Sequence, residues 1–98
     1  MKLYFRNSYG QERLIAECET TQEVTATINQ FLADHNYKSY YTRIWYEPEG
    51  TKTPYYIRTE NRFVYDVGSW SEFFELEVTE SEITTLPENM KSLMGNVQ

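Results

Sequence analysis

The chain has 98 residues, 24% of them charged and 40% hydrophobic, with one cysteine and a net charge of −6. That length gives one domain, which buries roughly 60–70% of its unfolded surface and folds without a metal or disulfide. The charge excludes the basic footprint that nucleic acid or an anionic membrane requires, and favours a basic protein partner. A single Cys18 excludes an intramolecular disulfide and any CxxC motif, so the expected compartment is reducing, the cytoplasm of a host cell. No apolar run follows Lys2 as a signal peptide would need, and no run is long enough to span a membrane.

KLYFRN reads as a strand with Leu3 and Phe5 on one face, Gly10 supplies a turn, and RLIAEC is a second strand. Strict alternation sets Leu14 and Ala16 on the face opposite Ile15. TTQEVTATINQFLADHN is the one convincing helix. Thr20 and Glu23 form a capping box, and Val24, Ile28, Phe31 and Leu32 make one apolar stripe. Asn36 takes the left-handed conformation that stops it. YKSYYTRIWYE follows as a strand, with Tyr41, Arg43 and Trp45 on one side and Thr42, Ile44 and Tyr46 on the other.

After a PEGT turn, TPYYIRTE reads as a further strand, FVYDV as another and SEFFELEV as the last. On that last strand Phe74, Leu76 and Val78 are expected to face the core, and Phe73, Glu75 and Glu77 water. Residues 79–98 form either a short helix opened by Pro87 or a frayed tail. The order β-β-α-β-β-β-β gives one α+β domain over residues 1–98. It is a mainly antiparallel sheet of five or six strands with one helix across one face.

The chemistry-bearing residues give no catalytic arrangement. Cys18 and His35 lie at opposite ends of a helix about 20 Å long, too far apart for a nucleophile and its base. Glu75 with Glu77, or Glu80 with Glu82, offers oxygen to a hard cation, but without EF-hand spacing. Neither GxGxxG nor GxxxxGK occurs. Tyr41, Trp45, Tyr56 and Tyr65 form a possible stacking platform for bases, which the negative charge and the missing RNP pattern oppose. The expected cofactor and metal complement is none, and the expected activity is not enzymatic.

The charge is localised. Between Arg62 and Lys91 lie seven acids and no base, so this interval carries −7 and the rest of the chain sums to +1. Two readings of YDVGSWSEFFELEVTESE stay open. It is the solvated face of an edge strand, whose glutamates discourage sheet-to-sheet pairing. Alternatively it is an acidic, aromatic surface made to be bound, imitating a nucleic-acid backbone with aromatic anchors. On the second reading the partner-binding residues are Trp70, Glu72, Phe73, Glu75, Glu77, Glu80 and Glu82.

Three stretches, MKLYFRNSYGQERLIAE, FLADHNYKSYYTRIW and YDVGSWSEFF, resemble a group of small proteins encoded by phages and prophages of Gram-positive bacteria. The resemblance covers roughly residues 1–46 and 63–76, and residues 48–62 look like a variable insertion. It carries no catalytic motif and no site residues. It implies a host-cytoplasmic phage protein that binds a basic host protein. One such role is inhibition of a nucleic-acid-binding defence protein, as anti-CRISPR proteins do. The alternative is a phage structural or assembly protein, a homo-oligomer formed through its tyrosine-rich sheet.

Overall fold

The structure is a computed structural model that describes residues 1–36, 43–54, 56–69 and 71–95. Its elements are β1 (Lys2–Arg6), β2 (Glu12–Glu17), α1 (Thr21–Asp34), β3 (Arg43–Glu47), β4 (Arg62–Asp66), β5 (Phe73–Glu77), α2 (Glu80–Ile83) and α3 (Glu88–Met94). The five strands form one sheet in the order β2-β1-β5-β4-β3, with every neighbouring pair antiparallel. This is the expected α+β arrangement. No helix among the described residues is long and apolar enough to cross a membrane.

Strand register sorts the side chains into two faces. Leu3, Leu76, Phe63 and Tyr46 align across one face, with Phe5, Phe74, Tyr65 and Ile44 in the next row. This face meets the helices. Val24, Ile28 and Leu32 of α1 and Leu86 and Met90 from the C-terminal segment are buried in the same cluster. Phe5, Phe31 and Phe74 pack ring to ring, with centroids 4.8–5.3 Å apart. A fully buried side chain such as Phe74 stabilises the fold by roughly 1.5–3 kcal/mol relative to exposure, and the partly buried Phe5 and Phe31 by less.

Helix α1 is capped as expected on one side of the box only. The Thr20 hydroxyl accepts the Glu23 N–H at 3.2 Å, but the Glu23 carboxylate accepts from the Glu19 N–H at 3.1 Å, one residue before the cap, and not from the Thr20 N–H. Asn36 sits at φ 57° just beyond the helix end. Thr20→Ala is expected to cost about 1 kcal/mol, because it leaves that N–H without its side-chain acceptor. A denaturant melt checks this, and an unchanged midpoint would show that water caps the helix equally well.

Four expectations are corrected. Strand β2 carries a bulge opposite the Leu3–Tyr4 step. Ile15 and Ala16 consequently both pack against the core while Leu14 is 47% exposed. The described residues of 53–60 form no strand of the sheet, because this segment pairs with the chain just before it. Gly50 N–H donates to the Arg58 carbonyl at 2.8 Å, Arg58 N–H to the Thr51 carbonyl at 2.9 Å and Thr53 N–H to the Tyr56 carbonyl at 2.8 Å. Gly50 favours glycine through its φ of +92°, not through lack of space. The third correction places β5 at the centre of the sheet, between β1 and β4, and not at an edge.

The fourth is that Glu75 does not face water, because residues of the 48–61 segment and three arginines cover it. It is 3% exposed. Beyond β5 the described residues form α2 and α3. Thr79 N–H donates to Glu82 Oε1 at 2.9 Å at the start of α2, and Pro87 opens α3, which packs against β3.

Candidate binding groove on the second face of the sheet

The second face is built by the alternate residues. Leu14, Tyr4, Glu75, Val64 and Trp45 form one row. Glu12, Arg6, Phe73, Asp66 and Arg43 flank it on one side, and Lys2, Glu77, Arg62 and Glu47 on the other. The self-paired segment 48–61 lies over this face as a strap and contributes Tyr56 and Arg58. An alternating strand normally gives this face to water. Here the strap covers it, and a buried ionic cluster forms instead.

Glu75 is the centre of that cluster. Its Oε2 accepts from Arg6 Nε at 2.8 Å, and its Oε1 accepts from Arg58 Nη1 at 2.6 Å and Arg62 Nη1 at 3.1 Å. All three arginines are buried. Glu12 is shared by Arg6 and Arg62, and Glu47 accepts from Arg58 Nε at 2.7 Å. The Arg62 guanidinium stacks on Tyr4 at 4.3 Å and that of Arg6 on Tyr56 at 4.6 Å. Among the described residues one buried side-chain polar atom, Arg62 Nε, has no hydrogen-bond partner.

The electrostatics follow from this geometry. Burial pushes the Glu75 carboxyl up, but hydrogen bonds and charge from Arg58 and Arg6 prevail and hold its pKa at about 2. Burial likewise opposes charge on Arg58 and Arg62, yet their carboxylate partners raise both pKa values, so both stay protonated. Three arginines against Glu75, Glu12 and Glu47 sum to zero, and Glu60 and Glu77 also lie 3.5 and 3.7 Å from Arg62 Nη2, so the cluster holds no surplus positive charge.

Beside the cluster, between strap and sheet, lies a groove of about 370 Å³. Trp45, Phe73, Val64, Tyr56 and Pro54 wall it, and Arg6, Arg58, Glu47 and Glu75 line its charged side. Trp45 and Phe73 meet edge to face with centroids 6.0 Å apart. The Trp45 indole N–H donates to Glu47 Oε2 at 2.7 Å, which fixes the ring. Arg43 covers Trp45 at 4.8 Å from its ring centre.

The residues expected to bind a partner do not form one surface. Trp70 lies outside the described residues, as do Tyr41 and Thr42, which are expected in the third strand. Phe73 lines the groove and is half-buried. Glu72 is half-buried beside it, with the Ser69 hydroxyl 3.4 Å away. Glu77 sits at the other end of β5, about 13 Å along the strand, and 3.7 Å from Arg62. Glu80 is exposed on α2. Glu82 accepts from the Met1 ammonium at 2.6 Å. Partial burial opposes its charge, but that ammonium and Thr79 hold its pKa below the usual range.

Arg6, Glu12, Glu47, Arg58 and Arg62 escaped the sequence reading. The available signal was parity: arginines and glutamates recur at strand positions of one face, where lysine would be the ordinary solvent-facing cation. At the ends of α1, Cys18 is buried, and His35 stacks on Phe31 at 4.0 Å. Among the described residues no group of three or more His, Cys, Asp or Glu side chains is placed to hold a metal ion. No family model, no curated protein and no solved structure matches the chain.

Proposed function

We propose that the chain is a phage- or prophage-encoded protein-interaction module that binds a basic host protein and blocks it. The observation that carries this reading is the division of charge. Three of the five arginines are spent on the buried cluster, where Arg6, Arg58 and Arg62 are at least balanced by their glutamate partners, so they offset none of the remaining acids. Such a surface steers toward a basic groove and repels nucleic acid. A nucleic-acid-binding defence protein in the host cytoplasm is the target class of that kind. The resemblance to phage proteins supports the same context.

Withdrawal of Glu75 changes how the mimicry works. A row of carboxylates along β5 is replaced by acids dispersed over β5, α2 and the loop before β5. Self-association through the sheet is the weaker reading. The edge strand β2 is bulged and carries glutamate at both ends, which are devices that discourage pairing of edges.

The test is capture from a nuclease-treated bacterial lysate on the immobilised protein, with elution by rising salt. The expected result is release of a basic nucleic-acid-binding protein. Glu72→Lys with Glu80→Lys, both outside the cluster, should then weaken its binding about tenfold at low salt. A blank column, or binding indifferent to both salt and charge reversal, would remove the reading.

A further inference from the structure

We propose that the groove between strap and sheet is the anchor pocket of this module, and that it takes one large aromatic side chain from a partner segment flanked by basic residues. The inference rests on the basic-partner reading and adds the contact that supplies specificity. Three observations carry it. The walls are aromatic and aliphatic: Trp45, Phe73, Tyr56, Pro54 and Val64. The charged side is balanced and internally bonded, Arg58 with Glu47 and Glu75, and Arg6 with Glu75. An ion entering the groove would therefore displace existing partners without gaining charge, whereas an apolar ring only displaces water.

The third observation is size together with rigidity. About 370 Å³ is at the lower end of pockets that enclose a ligand, suited to one ring system and not to an extended chain. The Trp45 indole is fixed by Glu47 and Phe73, so it forms a prepared wall rather than one assembled on binding. The chain as a whole carries −6, which favours lysines or arginines on either side of the guest ring. Aromatic anchors in prepared pockets with charged surroundings are where interface energy concentrates.

The probes are three capped pentapeptides: phenylalanine between pairs of lysines, alanine between pairs of lysines, and phenylalanine between pairs of glutamates. The readout is the Trp45 indole N–H signal in a nitrogen-15 NMR titration, assigned with Trp45→Phe. The lysine-flanked phenylalanine peptide should shift that signal and bind at least about tenfold tighter than each of the others. Ser71→Tyr fills the groove from an exposed position without touching the cluster, so it should keep the melting temperature and lose this binding.

An unmoved indole signal, or a Ser71→Tyr variant that binds as the parent does, would overturn the proposal. Equal binding of the two lysine-flanked peptides would overturn the groove while leaving the charge-based reading standing. Equal binding of the two phenylalanine peptides would overturn the basic flanks, and the basic-partner reading with them.

Discussion

Glu75→Ala is expected to remove most of the stability of the domain. The residue is 3% exposed, and three buried arginines converge on it. Breaking a buried ion pair from one side costs about 3–5 kcal/mol, because the remaining charge stays desolvated without a partner. Here three guanidinium groups lose their common acceptor. A domain of this length holds only about 5–15 kcal/mol in total. At about 4–8 °C per kcal/mol, the melt should fall by on the order of 20 °C.

Glu77→Ala is the comparison. That residue is on the same strand and 3.7 Å from Arg62, but it is less buried, and its loss should cost no more than about 1 kcal/mol. Circular dichroism melts of the two variants decide the matter. If both lose less than about 1 kcal/mol, Glu75 is not the keystone of this face. The contrast also bears on the acidic strand itself. Reversing the charge of a solvated acid leaves a fold intact, whereas Glu75→Lys should prevent folding.

Acid should destabilise the protein in a window set by the same carboxyl. Its folded pKa is held at about 2, against 4.5 in the unfolded chain. Between these values the unfolded state binds the proton and the folded state does not, so stability falls as pH falls. The contribution is complete above the unfolded value and is lost as pH drops through the folded one. Its size is on the order of 3 kcal/mol. Glu82, whose pKa is also lowered, adds in the same direction.

Arg58 and Arg62 contribute no slope here, since both stay protonated throughout. Urea midpoints measured from neutral pH down to the acid limit should be level at first and then descend steeply below the ordinary carboxylate pKa. A level profile through that range would show that Glu75 is not held charged by the arginines.

The division between sequence and structure runs along particular residues. Local chemistry settled α1: the Thr20 hydroxyl, the stripe of Val24, Ile28 and Leu32, and the left-handed Asn36 all act within a few residues of one another. It also settled the inward parity of Phe74, Leu76 and Val78, because alternation is a property of one strand. It did not settle residues 53–60, whose β-rich composition suits a sheet strand as well as the self-paired strap they form. Nor did it reveal the bulge at β2, where one extra residue turns Ile15 inward alongside Ala16.

The fate of Glu75 was the furthest from reach. Its sequence neighbours are Phe74 and Leu76, and nothing local distinguishes it from a solvated strand glutamate. Its partners are 69, 17 and 13 residues away in the chain, at Arg6, Arg58 and Arg62. By itself, then, the sequence determined the class of fold, the helix with its Thr20 cap, the core parity of β1, β3 and β5 and the sign of the charge. Tertiary structure alone decided that β5 is central, that a strap covers its second face, and that the most prominent acid is an internal counter-ion beside an aromatic groove. The physical reason is range: caps and alternation act within one element, whereas strand order and ion pairing between distant elements exist only once the chain has closed.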